Sequence, residues 1–331
     1  MLERTLKFYS RYNFRVIVVD GSSKPLTSDV LNSDCIDYFH KPIHADERLK
    51  FALSLTETPY FSQVPDDDFI LPSANIACID YLNEMPDYVA CTGRALFYEE
   101  YPKGVLYREA FPGYRDKDIY QQLPKARLQK FFSNYEVLHT WAVMRSHVIK
   151  TAVRICTDPI VQKLLMFEIA FEFAVCAQGK SKVINHLRWI RSRCPGMDWR
   201  LGIPENQNYT DNSYLQQEQA EKVYSVFQEN LPEIFNDISC TSFLEIVNSL
   251  NDDTSRQRWF TDSTSTSVPI SFKLRQSLKS LIKTLMQPNK LRRISAETLA
   301  EMRSQLVKIN DEEIGYINFL LAQNSISYKV Q

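Results

Sequence analysis

The sequence predicts an α/β protein: a sheet built with helical crossovers, followed by an all-helical portion. Three observations carry this. Over the first 110 residues, short apolar runs rich in β-branched residues alternate with amphipathic stretches, the pattern of strands joined by crossover helices. One apolar run, Thr58 to Val64, ends in Pro65 and three consecutive carboxylates and leads into a segment opened by Pro72, which suits the first turn of a helix. From about residue 195 onward the periodicity is helical, broken by polar linkers at 204–212 and 261–267. The expected division is therefore 1–194 for the sheet-bearing part and 195–331 for a helical extension.

A chain of 331 residues has ample length for a buried core. Its 39 basic and 40 acidic residues nearly cancel, which excludes a general nucleic-acid binder with a strongly basic face. Seven cysteines are scattered without a CxxC pair, as in a reduced protein with buried thiols. No apolar run has the length of a membrane span, and Met1-Leu2-Glu3-Arg4 lacks a signal-peptide core. The expected location is the cytoplasm.

In chain order, residues 2–12 repeat Leu2, Leu6, Tyr9 and Tyr12 at helical spacing. Phe14 to Val19 reads as a doubly buried strand that stops at Asp20-Gly21-Ser22-Ser23. Cys35 to Phe39 is a short strand, Ala45 to Glu57 a helix, and Pro72 to Met85 another. Tyr88 to Tyr98 is a strand interrupted by Gly93, a place where another group approaches the backbone. Gly104 to Ala110 adds a strand, Lys117 to Phe132 a polar helix, Val137 to Met144 a strand-like run, and Pro159 to Ala177 one long apolar helix.

Chemistry concentrates at a few places. Asp66, Asp67 and Asp68 repel one another unless a cation sits among them, and oxygen-only ligands suit Mg²⁺ or Mn²⁺ with positions left open for phosphate. A solvated acidic turn or a helix cap explains the same residues. Asp20, Gly21 and Ser22 at a strand's carboxyl end fit either a nucleotide contact or a plain turn. Glu168 and Glu172 lie one helical turn apart on an otherwise apolar segment. Glu172 is expected to face solvent or pair with a base, and Glu168 to have either that fate or a chemical role. His40 and His44 have ligand spacing, but Pro42 breaks the helix that would align them. Residues 270–293 form a basic amphipathic stretch, suited to packing on its own domain or to peripheral contact with an anionic membrane.

Taken together, VIVVDGSS, TPYFSQVPDDDF and PSANIACIDYLNEMPDYVACTGR resemble the nucleotide-sugar-binding half of a GT-A type glycosyltransferase, most similar to a bacterial family related to family 2. TWAVMR at 140–145 and Phe167-Glu168 ahead of Gly179-Lys180 fit that likeness. The resemblance implies a Rossmann-like GT-A sheet and transfer of a sugar from a nucleotide-sugar donor to a surface-glycan or lipid-linked acceptor. It also implies residue roles. Asp20, Gly21 and Ser22 would meet the nucleoside, Asp66 and Asp67 the donor, and Asp68 with Asp66 the Mn²⁺ or Mg²⁺. Glu168 would be the base and Arg145 a phosphate or acceptor contact. Such proteins begin with an apolar strand that this chain lacks before Met1, so the expectation is either a start further upstream or a sheet without that strand. A degenerate partner-binding module and a sugar nucleotidyltransferase are the alternatives.

Overall fold

The computed structural model describes residues 1–101, 104–133, 135–192, 215–249 and 288–327. Helix α1 (Leu2–Tyr9) leads into β1 (Val16–Asp20), which pairs in parallel with β2 (Ile36–His40), Val16 beside Ile36 and Asp20 beside His40. Helix α2 (Ala45–Ser54) crosses between them and the next strands. A second sheet holds β3 (Tyr60–Ser62), β4 (Phe69–Ile70), β5 (Tyr88–Tyr101), β6 (Gly104–Ala110), β7 (Val143–Arg145) and β8 (Lys180–Ser192). Its order is β3-β7-β5-β8-β4, with β6 on the far part of β5. The fold is mixed α/β, as expected, but the single sheet is two, because among the described residues no strand bridges β1 to β3. Helix α1 spans the break: Leu6 packs with Val18 and Ile36, and Phe8 packs edge-on against Phe69 at 5.4 Å.

Strands β3 and β5 both run antiparallel to β7, and β5 runs parallel to β8. The carboxyl ends of β3, β5 and β8 therefore point to one rim, the side on which ligands bind in open α/β sheets. Strand β5 is buried over most of its length, from Val89 to Leu96 without a break, as in a strand covered on both faces. Gly93 does mark a close approach: a Cβ there would lie 2.3 Å from the His186 carbonyl oxygen. That carbonyl belongs to a bulge in β8, where the register jumps from Thr92 beside Val183 to Arg94 beside Leu187.

Three expected elements are shorter than their patterns. The helix expected from Lys117 begins only at Pro124 as α4 (Pro124–Phe132), because Ile119 is pulled into backbone pairing with Ser181. Of the strand-like run 137–144, only its end belongs to β7; the rest is a turn closed by Ala142 N–H to the His139 carbonyl. After α5 (Ser146–Cys156), the long apolar helix divides at Leu165-Met166 into α6 (Pro159–Leu164) and α7 (Phe167–Gln178), with Leu165 in extended conformation.

The described part of the extension is helical, as expected, but it shares the core of the sheet-bearing part. From α8 (Gln217–Asn230), α9 (Pro232–Phe235) and α10 (Cys240–Ser249), Phe227 and Phe243 meet Phe173 of α7 at 5.3 and 5.0 Å. Fully burying each such ring stabilises by roughly 1.5–3 kcal/mol, so these helices and the sheet's helices stand or fall together. Helices α11 (Pro288–Ser304) and α12 (Asp311–Ser327) close the other side. Ser295 Oγ accepts from Tyr107 N–H of β6, and Glu313 accepts from Ser73 N–H and Oγ, capping the start of α3 (Pro72–Glu84). The expected basic stretch 270–293 lies mostly outside the described residues. Among the described residues, no helix is long and apolar enough to cross a membrane.

Candidate functional site

The rim is built where the chain leaves β3. Ser62 pairs with Val143, so the segment Gln63 to Asp68 runs beside the turn that precedes β7. It then folds onto the end of β8: Asp68 Oδ1 accepts from Ser192 N–H at 2.7 Å and Oδ2 from Trp189 Nε1–H at 2.8 Å. The backbone of the acidic turn is also held, by Thr5 Oγ1 on the Asp66 carbonyl and by Tyr98 Oη on the Asp67 carbonyl. Asp66 is exposed, Asp67 half-buried and Asp68 only 2% exposed.

This geometry separates the three acids. Asp68, the expected metal ligand, points inward with both oxygens engaged, so here it anchors the turn. Burial pushes its carboxyl up to about 7, against the pull of the Ser192 and Trp189 donors. Asp67 is raised by burial and then by the charge of Asp66, which marks two carboxylates close enough to repel. Among the described residues, no three His, Cys, Asp or Glu side chains gather into a complete metal cage. An Mg²⁺ or Mn²⁺ ion that keeps waters and shares phosphate oxygens needs only one or two protein carboxylates. Asp66 and Asp67 fit that requirement; Asp68 does not.

Opposite charge stands beside them on a residue that the sequence pattern did not single out. Arg191 of β8 lies over Trp189, Phe97 and Phe111, its guanidinium carbon 5.3, 5.8 and 5.8 Å from the three ring centroids. Its charge lowers both Asp67 and Asp68, while among the described residues its guanidinium makes no hydrogen bond or ion pair. The aromatic bed is itself ordered. Phe111 stacks on Tyr114 and Trp189 at 5.1 and 5.5 Å, and its backbone sits in the left-handed region at φ 50°. A bulky side chain there is strained, and such strain clusters at ligand sites. A lone arginine in a strand carries no sequence signal; only the fold shows its aromatic surroundings.

The remaining expected residues are placed differently. Asp20 sits at the carboxyl end of β1, but its oxygens accept from Tyr38 Oη at 2.6 Å and Ser22 N–H at 2.8 Å. Burial would raise it, yet those two bonds win and hold it below the ordinary carboxylate range. Gly21 leaves room for Arg48, whose guanidinium carbon would lie 2.5 Å from an added Cβ. The Asp20-Gly21-Ser22 loop thus belongs to the small sheet, which α1 links to the sheet that carries the acidic turn. His40 Nε2 lies 2.8 Å from the Ser22 carbonyl oxygen.

Arg145 is at the other end of the sheet. It pairs with Tyr60 at the start of β3, and its guanidinium donates to the carbonyls of Leu82 and Tyr88 at 2.6 and 2.9 Å. It closes the end of α3 and is not a phosphate contact at this rim. Arg127 does the same for α7, donating to the carbonyls of Cys176 and Ala177. Glu168, in the first turn of α7, is half-buried and accepts from Tyr135 Oη at 2.8 Å. Glu172, expected to face solvent or pair with a base, is 0% exposed and accepts from His139 Nδ1 at 2.6 Å and from the N–H groups of Leu138, His139 and Thr140.

No family model and no curated protein matches this chain. Among solved structures it is similar to Staphylococcus aureus TarS. A crystal structure of TarS 1–349 aligns with a TM-score of 0.48 at 13% identity, over 91% of this chain and 79% of that one. Another TarS structure aligns with a TM-score of 0.49 at 14% identity, over 81% of this chain and 44% of that one. Likeness of this degree carries no inference about activity.

Proposed function

We propose that this protein is a glycosyltransferase, moving a sugar from a nucleotide-sugar donor to a glycan or lipid-linked acceptor. One observation carries the reading. The carboxylates of exposed Asp66 and half-buried Asp67 stand near a guanidinium that is braced by rings and makes no hydrogen bond or ion pair among the described residues, where β8 ends. That pairing suits a diphosphate held by a cation on one side and an arginine on the other. Asp66 and Asp67 would hold Mn²⁺ or Mg²⁺, which when bound supplies charge neutralisation for the departing diphosphate. Arg191 contributes fixed positive charge on the same leaving group, pre-oriented by its three rings. Asp68, tied to Trp189 and Ser192, keeps the turn in place. Glu168 is the candidate base for the acceptor hydroxyl, its carboxylate oriented by Tyr135.

Calorimetric titration of UDP and GDP, with and without Mn²⁺, tests this. The wild type is expected to bind one of them more tightly with the ion. Asp67→Asn should abolish the gain from the ion, and Arg191→Ala should weaken binding with or without it by roughly tenfold, the usual scale for a charge-assisted hydrogen-bonding group. Binding that is indifferent to the ion and to both substitutions refutes the reading.

A further inference from the structure

Resting on that reading of the rim, we propose that Trp141 is the platform on which the sugar ring of the donor stacks, and that a buried clasp around Glu172 and His139 holds it there. The register places it. Ser62 pairs with Val143, so Trp141 precedes β7 beside the segment that leads to Asp66. Its indole lies against Trp189, centroids 5.5 Å apart, and Trp189 is the ring that hydrogen-bonds Asp68. Trp141 itself is half-buried, packed on the core without being sealed in it.

The turn that carries it is held at unusual cost. Glu172, His139 and Arg188 are each 0% exposed. Glu172 receives the N–H groups of Leu138, His139 and Thr140, the Thr140 hydroxyl and His139 Nδ1. The second ring nitrogen of His139 lies 2.6 Å from Ser181 Oγ. From the opposite face Arg188 donates to the Trp141 carbonyl, and it also reaches Ser62 Oγ and Asn75 Oδ1. Well-packed apolar residues stabilise a core at least as well as buried charges do. What a fully satisfied polar network adds is one fixed geometry, and the large side chain this turn presents to the rim is Trp141. A rigid indole offers wide contact at little rotamer entropy. A pyranose presents a matching face of C–H bonds, while the nucleoside diphosphate is served by Asp66, Asp67 and Arg191.

The test separates the sugar from the nucleotide. Wild type, Trp141→Phe and Trp141→Ala are titrated with UDP-glucose, UDP-N-acetylglucosamine and GDP-mannose, and with UDP and GDP, all in Mn²⁺. Trp141→Ala is expected to weaken the preferred sugar nucleotide roughly tenfold while its parent diphosphate binds within about twofold of wild type, the scale of one aromatic contact. Trp141→Phe should fall between, and Glu172→Gln should reproduce the selective loss. If Trp141→Ala does not fold, the Phe variant carries the comparison. Equal loss on sugar nucleotide and diphosphate, or no loss on either, overturns the platform and leaves the rim reading intact. A wild type that binds none of the five probes overturns both.

Discussion

The Glu172→Gln substitution tests the clasp as a stability element. Glutamine keeps the size but offers one acceptor oxygen where the carboxylate offers two. Oε1 now accepts from Leu138 N–H, Thr140 N–H and Thr140 Oγ1, and Oε2 from His139 Nδ1, with His139 N–H shared between them. An amide NH₂ on either side faces buried donors, and each donor left unsatisfied costs about 1–3 kcal/mol. Disrupting a buried charged pair costs about 3–5 kcal/mol, a large share of the roughly 5–15 kcal/mol that holds a domain. We expect about 3–5 kcal/mol of lost stability in urea unfolding at pH 7, read from the midpoint at constant slope. The pH dependence comes from the direction of the pKa. Burial alone would raise Glu172, but the charge and hydrogen bonds of His139 and the backbone N–H of Thr140 hold it below its ordinary value of 4.5. A carboxylate depressed in the folded state contributes fully above 4.5 and loses its contribution as the pH falls through the folded pKa. The difference between wild type and variant should therefore be constant from neutral pH down to that value and shrink below it. A loss under about 1 kcal/mol, or one that persists unchanged in acid, would refute the account.

Arg145→Ala should cost about 1–2 kcal/mol by uncapping α3, the range of capping losses, and leave UDP and GDP affinity unchanged in the same titrations. Gly93→Ala should destabilise by about 1–3 kcal/mol, because the new methyl meets the backbone carbonyl of His186 and the overpacked bulge has to shift; thermal unfolding reads it. Asp68 sits at about 7 in the folded protein against an ordinary 3.8, so the folded state binds more protons between those values. Its contribution to stability should fall as the pH rises through that window, and Asp68→Ala should flatten this part of the urea-midpoint profile.

Pattern and structure agree most closely where a single element decides the outcome. The apolar run before Asp20, the Pro-started helix at Pro72 and the strand through Gly93 all form where their patterns place them, because period, proline and glycine act over a few residues. The acidic turn is legible as a cluster of charge, but its internal division is not. Three adjacent aspartates look alike until Trp189 and Ser192, more than a hundred residues later, claim one of them. The resemblance makes Arg145 a phosphate or acceptor contact, yet carbonyls at the end of α3 take up its donors. Glu172 looks like a misplaced acid, and the clasp that explains it joins residues about thirty to forty positions apart.

Although β8, which completes the rim, was not legible in the sequence, the class of fold, the apolar run that leads into the acidic turn, the helix after it and the place of the negative charge were. Those depend on local periodicity and on residue types that no packing can alter. Tertiary packing was needed to divide the strands between two sheets, to join the helical extension to their core, to bury Asp68 while leaving Asp67 half-buried and Asp66 exposed, and to set Arg191 over an aromatic bed beside them. A carboxylate or a guanidinium takes its role from the donors, acceptors and rings that surround it in space, and those neighbours come from distant parts of the chain.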